Sequence, residues 1–189
     1  MSRTLGQPIH HCYVVPDFDA ELARFAAGGI GPIYTMRIDG STVRYNGADQ
    51  SCSVSVAFFY SGDMCVEVIT PNGPQTNAYA DYLRRNPAGG LHHIAYHSAD
   101  HAASLAAMAA AGTPLRVVQE MFDQDTGHVF EIYCEPVGIE NGIMYQLLYP
   151  GLFDSWFETM RQAAQDWDGT EPIRDAMALM NAAMAEAAA

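Results

Sequence analysis

The chain has 189 residues, of which 49% are hydrophobic and 16% charged, proportions that are typical of a globular protein rather than a disordered one. Its formal net charge is −13, and all nine basic residues are arginines. The lack of lysine excludes Schiff-base, pyridoxal-phosphate and P-loop chemistry, and the acidity disfavours nucleic-acid binding. With no apolar run of membrane-spanning length, no signal peptide and four scattered cysteines, we expect a cytoplasmic protein with reduced, buried thiols.

The first half of the sequence predicts a strand, a helix and about three further strands. The strand His10–Val15 alternates between two faces and ends at Pro16. The helix Ala20–Ala27 follows, capped by Asp17 or Asp19 and stopped by two glycines. The later strands, separated by glycine-containing turns, are Ile33–Ile38, Val43–Tyr45, Ser53–Tyr60 and Met64–Ile69.

After a short linking helix at Ala78–Arg85, the same order of elements recurs. Shifted by 83 positions, His10 falls on His93, Tyr13 on Tyr96 and Asp17 on Asp100. A repeat of this length indicates two copies of a βαβββ module, and two such modules side by side would share one curved sheet. The predicted elements are a strand Leu91–His97, a helix Ala102–Ala111 and strands Leu115–Gln119, His128–Cys134 and Ile143–Tyr149.

The tail, 151–189, predicts two amphipathic helices. Large apolar residues recur at helical spacing in the first helix, and methionines recur in the second. These helices would pack on the sheet or on a partner subunit, although a Met-rich face could instead cap a ligand mouth. The residues concerned are Phe153, Trp156, Phe157 and Met160, then Ile173, Met177, Met180 and Met184.

Each module offers one imidazole from its first strand and one oxygen donor from its last. His10 and Glu67 are the pair in the first module, and His93 and Gln146 the pair in the second. If the modules pair about a pseudo-twofold axis, the four side chains converge on the concave face of the sheet. Two imidazoles and two oxygens suit Zn²⁺, Ni²⁺, Co²⁺, Mn²⁺ or Fe²⁺, with positions left for a carbonyl substrate and its enolate. Alternatively, Glu67 faces solvent and Gln146 only forms hydrogen bonds.

The sequence resembles the vicinal oxygen chelate superfamily, which includes glyoxalase I, methylmalonyl-CoA epimerase, extradiol dioxygenases and the bleomycin and fosfomycin resistance proteins. The resemblance covers residues 8–150, and its Leu-His-His-Ile-Ala-Tyr stretch is most similar to the epimerase and glyoxalase-like branch. It implies an α+β fold of two paired βαβββ modules, 8–71 and 89–150, forming one cup-like mixed sheet with helices outside, plus a helical extension at 151–189. It also implies a divalent metal, the four ligands above and often a homodimer. The motifs are His10-x-x-Tyr13-x-x-x-Asp17, Gly90–Tyr96, Val66-Glu67-Val68 before Pro71, and Gly142–Leu147.

Gln146 departs from the family pattern, in which a glutamate binds the metal and often moves the proton. A general base must therefore be Glu67 itself, leaving the metal, or a carboxylate of the strand His128–Cys134, either Glu131 or the nearby Glu135. The side chains expected to line the cup are Cys12, Cys65, His97, Tyr133 and Met144.

Three functions follow as alternatives. The first is a metal-dependent lyase, isomerase or epimerase acting on a small carbonyl compound or acyl thioester. The second is an iron dioxygenase that uses the two histidines and Glu67. The third is a binding or resistance protein that uses the cup without chemistry. Anchors for an acyl-CoA or glutathione would be Arg37, Arg44 and Arg116, whereas the aromatic residues equally suit an apolar ligand.

Overall fold

A computed structural model describes residues 3–139, 142–151 and 153–179. The order βαβββ occurs twice, as predicted. The first copy contains β1 (Pro8–Val14), α1 (Phe18–Ala27), β2 (Ile33–Tyr45), β3 (Ala48–Ser61) and β4 (Met64–Pro71). After α2 (Ala78–Arg85), the second contains β5 (Gly90–His97), α3 (His101–Ala110), β6 (Leu115–Phe122), β7 (Val129–Pro136) and β8 (Met144–Leu148). The tail contributes α4 (Asp154–Gln165) and β9 (Ile173–Asp175).

The two modules have matching helix caps, which explains why their helices begin at equivalent positions. Asp17 accepts a hydrogen bond from the Ala20 amide at 3.0 Å, and Asp100 accepts one from the Ala103 amide at 2.9 Å. A cap of this kind satisfies an amide that has no partner within the helix. The repeat seen in the sequence is therefore a repeat of local structure.

The sheet closes into a barrel. Its strand order is β3-β4-β1-β5-β8-β7-β6-β2-β9, and β2 also pairs with β3, so that eight strands form a ring. The modules join through antiparallel β1 and β5 on one side and through a short ladder between β2 and β6 on the other. Because a closed ring has few free strand edges, it resolves the edge problem that each module would have alone.

β2 corrects one detail of the prediction. It is a single strand rather than two, because the Asp39-Gly40 turn signal produces a bulge between Ile38 and Ser41 instead of a chain reversal. Gly40 has φ of +70°, a conformation that glycine adopts without steric cost.

The second tail helix was predicted wrongly at its start. Ile173–Asp175 form β9, which pairs in parallel with the beginning of β2, and the Ile33 amide donates to the Pro172 carbonyl at 2.7 Å. β6 pairs only with Val43–Tyr45, at the C-terminal end of β2. The beginning of the same edge of β2 therefore has free backbone groups, and pairing with them outweighs the helical pattern of the tail. Residues 176–179 are helical, and the predicted positions Met180 and Met184 lie outside the described residues.

The helices lie on both faces of the barrel wall. α1 and α3 pack outside, as predicted, through Leu22 and Met108. α2 and α4 pack against the concave face, where Tyr79 and Phe157 join the interior core. All four cysteines are buried and free, and no helix in the described part of the chain is long and apolar enough to cross a membrane.

Candidate metal centre and cavity

Three of the four predicted ligands meet inside the barrel. The neighbouring strands β4, β1 and β5 place Glu67 and His93 beside Cys12 in register, and His10 lies two positions earlier on the same face. His10 Nε2 lies 3.3 Å from His93 Nε2, and Glu67 Oε2 lies 3.3 Å from the former and 3.2 Å from the latter. All three residues are buried: His10 is 2% exposed, His93 0% and Glu67 6%. Residues far apart along the chain thus form one buried triangle.

The dimensions of this triangle fit a divalent cation. Metal–ligand bonds of about 2.1 Å place ligand atoms roughly 3.0 Å apart at a right angle and roughly 3.4 Å apart at the tetrahedral angle. Oxygen Oε2 of Glu67 also has no geometrically satisfactory hydrogen-bond donor, although it is fully buried. A buried carboxylate oxygen without a donor is costly unless something else, such as a cation, compensates its charge.

The electrostatics of the triangle favour an ionised Glu67 carboxylate and a neutral His93 imidazole. Burial raises the pKa of Glu67, but its close contacts with His10 and then with His93 outweigh burial and lower the pKa overall. Burial lowers the pKa of His93, although Glu67 partly opposes this. A carboxylate and a neutral imidazole are the forms in which these side chains bind metals.

Gln146, the fourth predicted ligand, lies beside the triangle. Its amide nitrogen donates to the Tyr133 hydroxyl at 3.0 Å, which orients the amide oxygen away from Tyr133. That oxygen is buried without a hydrogen-bond partner, and the Gln146 side chain acts on His93 by raising its pKa. The two buried side-chain oxygens without donors in this region therefore belong to the two predicted oxygen ligands.

Glu131 faces the same cavity from β7. Glu131 is 6% exposed. Burial raises its pKa and the negative charge of Glu67 adds to this shift, whereas the hydrogen-bonding groups of Tyr133 and Gln146 oppose it. The alternative carboxylate, Glu135, pairs instead with Arg116 near the end of the strand and does not line the cavity. Of the two candidate bases on β7, Glu131 alone is placed to contact a bound molecule.

The predicted lining residues divide into three groups. Tyr133 lines the cavity and shares a 2.5 Å hydrogen bond with the Tyr79 hydroxyl. Cys12, Cys65 and Met144 are buried in the barrel but do not form the cavity wall. His97 is a correction: its side chain is 43% exposed and pairs with Asp154 of α4 at 2.9 Å, because it stands at the end of β5, beyond the cavity.

His92 is a site residue that the sequence reasoning missed. A bulge where β5 pairs with β1 gives β5 one extra residue, so that His92 turns to the same side as His93 instead of alternating with it. The Nδ1 atoms of the two rings lie 2.9 Å apart. Burial lowers the pKa of His92 well below its usual value. A neutral His92 can therefore accept the Nδ1 proton of His93 and leave His93 Nε2 free to face the triangle.

Cys12, His92 and His93 form a second close group of possible ligands, with one ligand atom of each within 4.8 Å of the others. Burial, and then the charge of Glu67, raises the pKa of the Cys12 thiol well above its usual value. A protonated thiol is a poor ligand, so the triangle of His10, Glu67 and His93 is the better metal centre.

The cavity occupies about 190 Å³ between the barrel wall and α4. His10, Glu67, Glu131 and Gln146 lie in its wall, and most of the remaining wall is apolar or aromatic. α4 contributes Trp156 and Phe157, whose rings contact Phe58, and the Phe157 ring also contacts His10. The helical spacing of these aromatic residues was visible in the sequence, but the surface that they cover was not.

Residues 9–130 match the family described as the Glyoxalase/Bleomycin resistance protein/Dioxygenase superfamily. Among curated proteins, no significant match was found. A hypothetical protein from Bacillus halodurans C-125 has a similar structure, with 14% identity, a TM-score of 0.52, and coverage of 76% of this chain and 93% of that one. A methylmalonyl-CoA epimerase in complex with methylmalonyl-CoA and NH4+ is 17% identical over 78% of this chain and 96% of its own, with a TM-score of 0.46. The epimerase from Mycobacterium tuberculosis is 13% identical over 79% and 92%, with a TM-score of 0.47.

At such identities these structures bear on the fold alone. The family match is broader evidence, because it spans most of the chain and includes the strands that carry His10, Glu67 and His93. The chain therefore belongs to the glyoxalase, bleomycin resistance protein and dioxygenase superfamily.

Proposed function

We propose that the protein is a metal-dependent isomerase, epimerase or lyase that moves a proton next to the carbonyl of a small oxygen-containing substrate. The observation that carries this proposal is the triangle of His10, Glu67 and His93, with sides of 3.2–3.3 Å, beside a cavity that also contains the buried carboxyl group of Glu131. A metal-ligand set and a separate base on one cavity are the two parts that such a reaction needs.

His10, Glu67 and His93 would hold the cation, and the amide oxygen of Gln146, which is buried without a hydrogen-bond partner, would complete the set. A divalent cation held there would polarise a carbonyl group and stabilise negative charge on its oxygen. Contacts with the two histidines favour the ionised form of Glu67, and burial favours the neutral form of His93, which are the forms that bind a metal.

Glu131 would be the general base. Its pKa is raised by burial, so its carboxylate accepts a proton more readily than an exposed carboxylate does. Glu67, the alternative base, is held between two imidazoles that lower its pKa, which makes it a weaker base and a better ligand. Gln146 donates a hydrogen bond to the Tyr133 hydroxyl, and both side chains lie beside Glu131 in the cavity wall, where they would limit its movement while the proton moves.

Metal loading tests the first part. The purified protein is offered Zn²⁺, Ni²⁺, Co²⁺, Mn²⁺ and Fe²⁺ and analysed for retained metal. We expect stoichiometric retention of at least one ion by the parent and by the control His97→Ala, because His97 lies outside the cavity. We expect loss from His93→Ala. A parent protein that retains none of these ions contradicts the proposal.

Proton exchange tests the second part. The neutral hydroxyketone 2-hydroxy-1-phenylethanone is incubated with metal-loaded protein in D2O, and loss of its C–H signal next to the carbonyl is followed by NMR. We expect catalysed exchange in the parent and in Glu135→Gln, and a decrease of about 10²–10⁴-fold in Glu131→Gln, which loses its base. Binding of the hydroxyketone without exchange would favour a binding protein instead.

An iron dioxygenase is the second candidate. It is favoured by the composition of the triangle, two histidines and one carboxylate, which is the facial set of many non-haem iron oxygenases. Oxygen uptake by Fe²⁺-loaded protein with a catechol would support this candidate, whereas exchange with Zn²⁺ or Ni²⁺ and no oxygen uptake would support the isomerase.

A further inference from the structure

The size of the cavity limits what it can enclose. A volume of about 190 Å³ is slightly larger than an engineered apolar cavity of about 150 Å³ that holds benzene. It therefore accommodates roughly one substituted ring. The nucleotide of an acyl-CoA is too large for this volume and would have to lie outside the cavity.

The chemistry of the cavity wall limits the charge of the ligand. Most wall residues are apolar or aromatic, and none of the described residues that line the cavity is an arginine. The carboxylates Glu67 and Glu131 both face it. An anionic group on the ligand, away from the metal, would lose its hydration without gaining a cationic partner.

The arginines expected to anchor a phosphate-bearing ligand are paired elsewhere. Arg37 pairs with Asp39, Arg44 with Asp49 and Glu120, and Arg116 with Glu135. The chain as a whole carries a formal net charge of −13, which repels polyanions at long range. Each of these three arginines already has a carboxylate partner, which a phosphate chain would have to displace.

α4 determines the shape of the apolar end. Trp156 and Phe157 are both less than a tenth exposed, and their rings both pack edge-on against Phe58. On the barrel side, Val54 and Val56 of β3 line the same space. The cavity is therefore bounded by a helix on one side and by the barrel wall on the other, with polar groups on strands β1, β4, β7 and β8.

From these observations we propose that the natural ligand is an uncharged, largely apolar molecule of about one ring, with its oxygen atoms at the end that meets His10 and Glu67. Acyl-CoA and glutathione adducts do not belong to the ligand class of this cavity. The inference deepens the proposed function, because it specifies the substrate class of the same site.

Calorimetric titration of metal-loaded and metal-free protein tests the ligand class. The probes are 2-hydroxy-1-phenylethanone, the anionic 4-(2-hydroxyacetyl)benzoate, its neutral and similarly shaped 4-nitro counterpart, and propionyl-CoA. We expect the neutral compounds to bind at least about tenfold more tightly than the carboxylate and propionyl-CoA, because the buried charge is uncompensated. Equal or tighter binding of the carboxylate or of propionyl-CoA overturns the inference.

Two variants test the location without altering the proposed ligands of the metal. Val56→Phe fills the cavity and should weaken binding of the phenyl ketone at least tenfold, while Val137→Phe, at a position that is 59% exposed, should leave binding unchanged. Phe157→Ala enlarges the cavity and should improve binding of the larger 2-hydroxy-1-(2-naphthyl)ethanone. If neither Val56→Phe nor Phe157→Ala changes binding, the cavity is not the ligand site.

The outcomes separate this inference from the proposed function. If the neutral ketone binds in the cavity but no metal is retained and no proton exchanges, the ligand class stands and the catalytic proposal fails. If protons exchange on propionyl-CoA, the catalytic proposal stands and the ligand class fails.

Discussion

His92 supports the most specific prediction, because its ring contacts the metal centre through the Nδ1 atom of His93. The Nδ1 atoms of the two rings are 2.9 Å apart, and one proton must lie between them. If His93 Nε2 binds a cation, that proton belongs to His93 Nδ1 and His92 accepts it. His92→Leu removes the acceptor, and His92→Asn retains an oxygen close to the same position.

The expected effect follows from what the buried proton loses. Without an acceptor, His93 either buries an unsatisfied N–H group, at a cost of about 1–3 kcal/mol, or moves its proton to Nε2, which blocks that nitrogen as a ligand. Loss of hydrogen-bonded support behind a metal ligand typically weakens metal binding about 10–100-fold, or about 1.4–2.7 kcal/mol. We expect this loss in His92→Leu and a smaller loss in His92→Asn.

Competition with a chromophoric chelator measures Zn²⁺ affinity, and chemical denaturation of the metal-free proteins shows whether folding has changed. His97→Leu is the matched control. His97 also lies on β5, but at its end, where it pairs with Asp154 outside the cavity. If His92→Leu binds Zn²⁺ as tightly as the parent, the assignment of the Nδ1 proton is wrong.

Three further predictions concern stability. Burial raises the pKa of Glu131, so ionisation of this carboxyl group destabilises the folded state as pH rises above the ordinary carboxyl pKa near 4.5. In chemical denaturation without metal, Glu131→Gln should therefore be more stable than the parent at pH 8 and similarly stable at pH 4. At a free concentration 100 times its dissociation constant, the bound cation should raise the free energy of unfolding of the parent by about 2.7 kcal/mol. A thermal scan should show a higher Tm with the cation for the parent and no increase for His93→Ala. Gly89 has φ of +74°, and a Cβ there would lie 2.5 Å from the Val14 carbonyl oxygen, so Gly89→Ala should destabilise the fold by about 1–3 kcal/mol in denaturant titration; Gly112→Ala, with φ of +87° and nothing within 4 Å, should cost less.

Much of the fold could be predicted because the sequence repeats itself. The equivalence of His10 with His93, and of Asp17 with Asp100, identified two modules, and strand alternation placed the histidines on the inner face with Glu67 and Gln146. Such predictions succeed where a local pattern and the global fold agree. The order of elements and the adjacency of three predicted ligands are of this kind.

Sequence alone therefore determined the modules and the set of polar side chains, since caps, turns and alternation are encoded by neighbouring residues. Only the tertiary structure decided that β2 meets β6, that α4 covers the cavity and that Ile173–Asp175 form a strand rather than a helix. Likewise, the bulge that turns His92 inward arises from how β5 pairs with β1. Each of these features depends on contacts between segments that are distant in the chain, and no periodicity within a segment specifies which distant backbone or side chain will meet it.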